Sequence, residues 1–262
     1  HYLILKSDGS LWGLGRSWYG QLGQGEAHRK YYKPIKIIDG EVSDISAGGS
    51  YSLFIKNDGS LWGMGDNRNG QLVSGEEDHI YYPERIVDSD VVQVSSGGMH
   101  SSFVKSDGSL WLLGTYGLGT VGDEEFRNIY RTEDLYSFKP IKIMDSVAEV
   151  ACGQSHDIIL TKYDKKVWTL GLNNHGQLGD GTKEMSLIPK ELEDFRYNVL
   201  KIFAGENNSI IINRNNEYLT FGYEYREWPE YAHIDHNYKK YINNLYPVHN
   251  KYGEDVIDAS AG

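Results

Sequence analysis

A segment that ends in glycine recurs five times along the chain, with the approximate pattern Val-x-x-(Val/Ile)-x-small-Gly. Its first residues are Val42, Val91, Val147, Val199 and Val256. A second signature, (Leu/Val)-Trp-x-x-Gly, recurs at intervals of 49 to 57 residues, with its tryptophans at Trp12, Trp62, Trp111 and Trp168. Self-similarity at a period of about 50 residues indicates a repeat architecture. Short motifs in this chain must therefore be interpreted first as copies of the repeat.

The composition limits the class of protein. The net charge of the 262 residues is -11, and no Lys/Arg-rich run offsets it. This argues against a surface for nucleic acid or anionic membrane, which normally carries a basic footprint. The single cysteine, Cys152, excludes an internal disulfide framework. No stretch approaches the ~18 apolar residues of a membrane span, and the sequence leaves the cellular compartment open.

Each repeat predicts four short strands. In the second copy these are 42–47, 51–56, 61–64 and a last strand opened by Pro83. Asp58-Gly59 lies between two of the apolar runs, and this dipeptide predicts a type I′ hairpin, in which both central residues have positive φ. No segment shows a sustained apolar period of 3.6 residues, so helices are not expected.

Four-stranded sheets repeated radially make a β-propeller, an all-β fold. The first strand of each repeat would be the innermost, where the blades converge and space is least. We therefore expect the small residue that ends it to be buried in every copy: Ala47, Ser96, Cys152, Ala204 and Ala261.

The repeat resembles that of the regulator-of-chromosome-condensation (RCC1-type) family. The residues that carry the resemblance are the strand ends 97–100 and 153–156, the loop Asn-Asn-His-Gly-Gln-Leu-Gly at 173–179, and its partial copies at 20–23 and 70–72. A proline that is expected to open the outer strand of each copy completes the match: Pro34, Pro83, Pro140, Pro189 and Pro247. The family commonly has seven blades, whereas five copies are present here.

The resemblance implies a propeller of about five four-stranded blades and a single domain spanning residues 1–262. The approximate repeats are 1–50, 51–99, 100–155, 156–207 and 208–262. The two ends of the sequence are in phase, so we expect Val256–Ala261 to pair in the same blade as residues 2–15 and to close a monomeric ring. A closed ring has no unpaired sheet edges.

Motifs that suggest chemistry are better explained by the repeat. Residues 117–122 match the dinucleotide-binding fingerprint as text, but the helix that this motif requires is not expected. Ser155-His156-Asp157 contains the residue types of a catalytic triad, yet adjacent residues cannot adopt triad geometry. We expect His156 to tie the inner strand to a neighbouring backbone. His233 and His236 have ligand-like spacing and His249 is not far away, but a zinc site needs three or four convergent ligands and no cysteine is nearby. We predict no catalytic residue, no cofactor and no metal.

Aromatic insertions are the best candidates for a binding site. Tyr31-Tyr32, Tyr81-Tyr82 and the long segments 122–138 and 223–246 are expected between the third and fourth strands of their repeats. They either bind a protein, since exposed Tyr and Trp dominate binding hot spots, or pack back over the blade edges. The predicted protein-binding residues are Tyr225, Trp228, Tyr231, His233, His236 and Tyr238.

The sequence thus favours a non-enzymatic scaffold for a protein partner whose identity it does not reveal. Two alternatives remain. One is a regulator of a small GTPase resembling a guanine-nucleotide exchange factor, although no equivalent of the founding member's inserted exchange wedge is recognisable. The other is a ligand-binding or enzymatic site at the channel mouth, which would need a convergent cluster of ionisable side chains.

Overall fold

The structure is a computed structural model that describes residues 1–72, 77–115, 139–192, 199–214, 218–223 and 246–248. These residues form β-strands joined by turns and loops. Within them no helix is long and apolar enough to cross a membrane. The chain divides into two compact units, His1–Val150 and Ala151–Gly262.

The first unit contains three antiparallel sheets. The first sheet has the order β1-β2-β3, with strands Tyr2–Leu5, Leu11–Ser17 and Arg29–Ile38. The second has the order β4-β5-β6-β7, with strands Val42–Ala47, Tyr51–Lys56, Leu61–Asp66 and His79–Val87. The third has the order β8-β9-β10-β11, with strands Val91–Ser96, His100–Lys105, Leu110–Gly114 and Ile141–Met144.

Two further sheets follow the same plan. One has the order β12-β13-β14-β15, with strands Val147–Cys152, His156–Thr161, Val167–Gly171 and Ser186–Glu191. The other has the order β16-β17-β18-β19, with strands Val199–Ala204, Asn208–Asn213, Tyr218–Gly222 and Tyr246–Val248. Every sheet is built from strands consecutive in sequence, and four of the five described sheets have the predicted four antiparallel strands, while the first has three described strands.

Apolar side chains pack between neighbouring sheets of each unit. In the first unit, Tyr51 and Leu53 of the second sheet belong to one buried cluster with Val94 and Phe103 of the third. Burial of the apolar side chains in this cluster is the main favourable contribution to the packing of successive sheets face to face. The second unit has a corresponding cluster, made of Ile158, Leu160, Val167, Leu192, Val199, Ile202, Ile211 and Phe221.

The Asp-Gly hairpins are real, but they are not the predicted type I′ turns. Gly59 has a positive φ of 79° and donates its N–H to the carbonyl of Lys56, whereas Asp58 has no positive φ. The carboxylate of Asp58 instead accepts hydrogen bonds from the N–H and hydroxyl of Ser60, and the Ser60 hydroxyl accepts the indole N–H of Trp62. These bonds lower the pKa of Asp58. The Asp-Gly-Ser-Leu-Trp sequence is thus a hydrogen-bonded unit.

The outer strand does not begin at its proline in four of the five sheets. Pro140 directly precedes β11, but the other prolines lie inside β3, β7, β15 and β19, at Pro34, Pro83, Pro189 and Pro247. The strand β7 starts at His79 and contains Pro83. Gly63 pairs with Glu84 and Gly65 with Ile80, so the register shifts where Tyr81, Tyr82 and Pro83 lie opposite Met64. A bulge leaves residues outside the ladder, and it therefore accommodates a residue without an N–H.

The crowded position on the inner strand is the glycine, not the small residue before it. Ala47 is exposed, Ser96 and Ala204 are half-buried, and only Cys152 is buried as predicted, while Ala261 lies outside the described residues. A Cβ on Gly48 would overlap the ring of Tyr51 and lie 2.9 Å from the carbonyl oxygen of Gly97. The expectation that the small side chain relieves crowding is wrong for Ala47, because the backbone approach occurs one residue later.

Candidate interaction surface

The Gly-Gln-Leu loop that follows the third strand is held in the same way in three repeats. The side-chain carbonyl of the glutamine accepts the backbone N–H two residues earlier at 2.9 Å, in the pairs Tyr19–Gln21, Asn69–Gln71 and His175–Gln177. The leucine that follows has no exposed surface, and its N–H donates a hydrogen bond to a polar side chain: Leu22 to Ser17, Leu72 to Asn67 and Leu178 to Asn173. The loop backbone is therefore fixed from inside.

In all three copies, the residue three positions before the glutamine is exposed. These residues are Trp18, Arg68 and Asn174. The loop thus presents a different side chain from the same backbone in each repeat. We take the loop face of each unit, considered by itself, as a candidate interaction surface.

Each loop is also bonded to the next repeat. The backbone carbonyl of Gln177 accepts the hydroxyl of Ser209 at 2.9 Å, and that hydroxyl lies 2.9 Å from Nε2 of His156. Because the single hydroxyl proton goes to Gln177, the ring of His156 donates to Ser209. The same arrangement joins His1, Ser52 and Gln21 at the start of the chain.

His156 reaches a neighbouring backbone only through a side chain, since its ring bonds the Ser209 hydroxyl and that hydroxyl bonds the Gln177 carbonyl. Its ring bonds a serine of the next repeat rather than the adjacent Ser155, so the triad-like sequence makes no triad. A tyrosine replaces the histidine in the second repeat. The Tyr51 hydroxyl donates to the carbonyl of His100, and the Ser101 hydroxyl lies 3.0 Å from the Tyr51 hydroxyl and 3.1 Å from the carbonyl of Gln71.

The loop face of the first unit carries a mixed cluster of aromatic and charged side chains. Arg68 forms two bonds to Asp66, at 2.9 Å from Nε and 2.8 Å from Nη2, and its guanidinium lies 4.9 Å from the ring centroid of Tyr19. The hydrogen bonds to Asp66 raise the pKa of Arg68 above its usual value. His79 packs edge-on against Tyr19, with ring centroids 5.1 Å apart.

A second group on this face surrounds the end of β2. The guanidinium of Arg16 lies 4.9 Å from the ring centroid of Trp18, and the ammonium of Lys30 lies 4.9 Å from that of Tyr32. Arg16, Trp18, Lys30 and Arg68 were not among the residues predicted from sequence. For Arg16 and Lys30, the available signal is the excess of six basic over three acidic residues in positions 1–40 of an acidic chain.

The tyrosine pairs lie differently from the expectation. Tyr31 and Tyr32 belong to β3, and Tyr81 and Tyr82 to β7, so both pairs are inside the fourth strand rather than before it. The first tyrosine of each pair is half-buried and the second is exposed. The first tyrosine of each pair thus packs partly against the blade, while the second is accessible to solvent.

The predicted binding residues Tyr225, Trp228, Tyr231, His233, His236 and Tyr238 lie outside the described residues, as does segment 122–138. The first residue of 223–246 is described. Tyr223 is 50% exposed and packs edge-on against His175, with ring centroids 5.0 Å apart. The described start of the insertion thus lies beside the Gly-Gln-Leu loop of the second unit and belongs to the candidate interaction surface of that unit.

Comparison with known proteins identifies the repeat. The sequence model of the regulator of chromosome condensation (RCC1) repeat matches residues 8–55, 58–104 and 164–212, and a second model of this repeat matches residues 42–71. The X-linked retinitis pigmentosa GTPase regulator of Canis lupus familiaris is 38% identical over 82 residues, which cover 30% of this chain and 8% of that protein. The ultraviolet-B receptor UVR8 of Arabidopsis thaliana is 28% identical over 106 residues, covering 39% and 23%. The matched segments span less than a quarter of these relatives.

Solved structures show the same fold. Yeast RCC1 (Prp20), in its complex with Kap60, superposes with a TM-score of 0.71 at 22% identity, covering 99% of this chain and 63% of that one. Human WBSCR16 superposes with a TM-score of 0.68 at 21% identity, covering 84% and 58%. Together with the five sheets, these likenesses establish a β-propeller fold of RCC1 type.

Proposed function

The chain belongs to the regulator of chromosome condensation (RCC1) repeat family, and from this premise we propose that it is a non-enzymatic scaffold for protein–protein interaction. The family relationship supports a regulatory or interaction role in general. The scaffold, its partner and its binding residues are the proposal. A fold does not by itself assign a function, so the support must come from the surface.

The construction of the Gly-Gln-Leu loops carries the proposal. Their glutamines and leucines are buried and fix the backbone, while the neighbouring positions expose Trp18 in one repeat and Arg68 in another. Trp, Tyr and Arg are the residue types enriched in binding hot spots. A rigid loop that presents them loses little conformational entropy when a partner binds.

We place the main partner contact on the segment 223–246, with Trp228, Tyr225 and Tyr231 as anchors and Tyr238 beside them. This repeat has lost the Gly-Gln-Leu loop and has an aromatic insertion at the same place. A large aromatic side chain buries much area with few rotatable bonds. His233 and His236 would make the binding depend on pH, because histidine titrates near neutrality.

Replacing Trp228 by alanine tests this placement. A partner recovered by cross-linking in cell extract is purified and titrated against both proteins by calorimetry. We expect Trp228→Ala to weaken binding by about 2 kcal/mol or more, which is at least about 30-fold. Tyr163→Ala is the matched control, since Tyr163 is 77% exposed in the turn between β13 and β14, at the opposite end of the sheet from the loop after β14.

Circular dichroism of both variants separates binding from folding. If Trp228→Ala stays folded and binds as tightly as Tyr163→Ala, the main contact lies elsewhere. If it unfolds instead, Trp228 is a packing residue, and the contact must be sought on the loops of the first unit.

A second candidate is regulation of a small GTPase. Relatives of this chain include a protein named as a GTPase regulator, and the yeast Prp20p structure is described with its binding properties to Gsp1p and histones. The test is release of a fluorescent guanine nucleotide from purified small GTPases. Acceleration by this chain would favour the GTPase candidate over a passive scaffold.

We also propose that the chain is one monomeric domain closed by its ends. The first sheet has three described strands in the order β1-β2-β3, so β1 lacks the inner neighbour that each other sheet has in β4, β8, β12 or β16. Residues 256–262 carry the sequence pattern of that missing strand. The segment lies outside the described residues, and the pairing is a proposal.

A further inference from the structure

We propose that a cationic cluster at one end of the first sheet binds an acidic peptide segment of a partner protein. The cluster is formed by Arg16, Trp18, Lys30 and Tyr32. This inference rests on the interaction function proposed above and adds the chemistry of one partner. It concerns a surface different from 223–246.

The two cationic residues of the cluster are directly paired across neighbouring strands. Arg16 in β2 pairs directly with Lys30 in β3. Like charges directly opposite each other in a sheet are destabilising. Within the part of the chain that the structure describes, neither side chain forms an ion pair or a hydrogen bond. The fold therefore carries an uncompensated pair of positive charges here.

An aromatic ring accompanies each cation. Arg16 lies over Trp18 and Lys30 over Tyr32, both at 4.9 Å from the ring centroid, and the two rings are 45% and 80% exposed. Stacking on a ring holds a long cationic side chain in place without neutralising its charge. The cluster thus offers two oriented cations and two exposed rings to a ligand.

The second sheet shows that the fold does not require this arrangement. At the equivalent cross-strand position Asp66 pairs with His79, and the carboxylate oxygen Oδ1 lies 3.8 Å from the ring nitrogen Nδ1. The same carboxylate also binds Arg68. The second repeat therefore brings groups of opposite charge together at this position, whereas the first repeat places two positive charges opposite each other.

The charge of the segment that forms the first sheet differs from that of the whole chain. Residues 1–40 contain six basic and three acidic side chains, a net charge of +3, whereas the complete chain has -11. The basic residues are Lys6, Arg16, Arg29, Lys30, Lys33 and Lys36, and the acidic ones are Asp8, Glu26 and Asp39. A local positive field attracts an acidic ligand. The negative remainder disfavours a long polyanion such as nucleic acid, so a short acidic peptide is the better fit.

Protection of a sheet edge accounts for only part of the cluster. The strand β3 is the outermost in the order β1-β2-β3, and lysines with Pro34 on such an edge discourage pairing with another chain. This explains Lys30 and Lys33. It does not explain Arg16, which belongs to the central strand, or the exposed ring of Trp18.

The test uses the intact chain and fluorescence anisotropy with a fluorescein-labelled poly-glutamate peptide at low salt. We expect the wild-type chain to bind this peptide, and the double variant Arg16→Glu/Lys30→Glu to bind about tenfold or more weakly. The control is Lys162→Glu/Lys183→Glu, which changes the net charge equally at two exposed lysines of the second unit. The neutral variant Trp18→Ala should also bind more weakly, because Arg16 loses its platform.

Several results would overturn the inference. They are absence of poly-glutamate binding, equal loss in the two double variants, or tighter binding of single-stranded DNA at the same residues. Sedimentation tests the edge explanation: self-association of Arg16→Glu/Lys30→Glu with unchanged peptide affinity would support edge protection and refute the binding site. Circular dichroism must show that Trp18→Ala and both double variants are folded. A partner that depends on Trp228 while poly-glutamate fails would remove this inference and leave the scaffold intact.

Discussion

The ring of His156 donates from Nε2 to the hydroxyl of Ser209 at 2.9 Å, although the two residues are 53 positions apart in the chain. The hydroxyl of Ser209 in turn donates a hydrogen bond to the carbonyl of Gln177 at 2.9 Å. A buried chain of hydrogen bonds thus links His156 in β13, the loop that contains Gln177, and Ser209 in β17, a strand of the next repeat.

Ser209→Ala should destabilise the protein by about 1–3 kcal/mol, because it leaves the His156 N–H and the Gln177 carbonyl without their shared partner in a buried site. The free energy of unfolding from urea denaturation measures this cost. Ser155→Ala, next to His156, is the control and should change stability little. Equal effects of the two substitutions would mean that the hydrogen bonds of the Ser209 hydroxyl add no stability.

Gly48→Ala should cost about 1–3 kcal/mol, since the added methyl group would overlap the Tyr51 ring and press on the Gly97 carbonyl. The adjacent Ala47→Val adds more volume at an exposed position and should change stability by less than about 0.5 kcal/mol. Denaturation midpoints of the two variants compare them directly. A larger loss for Ala47→Val would restore the original expectation that the small residue occupies the crowded position.

Asp44→Asn should stabilise the protein at neutral pH and have a smaller effect in acid. Burial raises the pKa of Asp44 above its ordinary value, against the opposing hydrogen bonds from the N–H groups of Ile45 and Val94. A raised pKa in the folded state contributes stability below the unfolded-state pKa of 3.8, and this contribution is lost as the pH rises through the folded-state pKa. Asparagine does not titrate and avoids that loss.

The equivalent residue of the next repeat supports this substitution. Gln93 is a neutral amide, and it accepts the Val150 N–H at 3.0 Å and donates to the Val150 carbonyl at 3.2 Å. Urea denaturation of wild type and Asp44→Asn at pH 7 and pH 4 measures the effect. A stability difference that is constant over this range would show that Asp44 does not titrate as described.

Removal of residues 256–262 should lower the melting temperature if this segment is the inner neighbour of β1. Deleting a paired strand exposes apolar surface and unpairs backbone groups of β1. Hydrogen exchange of residues 2–5 gives a second measure, with faster exchange expected in the truncated chain. Unchanged melting and unchanged exchange would contradict the proposed closure.

The strand plan could be predicted from sequence because turns and strands leave local signals. Asp58-Gly59 marks a hairpin, and the Val42 segment marks an inner strand, whatever lies around them. The turn type was wrong because the deciding contacts are those of Ser60 and Trp62 with Asp58 and with each other. The start of β7 was wrong because a bulge keeps Pro83 inside the strand. Both errors arise from specific hydrogen-bonding arrangements, which cannot be inferred from residue propensities.

The candidate surface was harder to predict than the fold. Trp18 and Arg68 occupy variable positions of a repeated loop, and only the buried Gln and Leu that follow carry a recurrent pattern. Exposure and cross-strand pairing, as between Arg16 and Lys30, depend on register. The predicted binding residues Tyr225, Trp228, Tyr231, His233, His236 and Tyr238 remain a prediction, since they lie outside the described residues.

The Gly-Gln-Leu loop separates the residues that maintain its conformation from those that meet solvent. Mutations at Trp18, Arg68 or Asn174 can therefore accumulate without disturbing the buried Gln and Leu beneath them. Successive repeats of one gene are free to diverge at these positions while they remain alike in backbone. A protein built in this way can gain or lose partners one loop at a time, and its folding places little constraint on which partner it acquires.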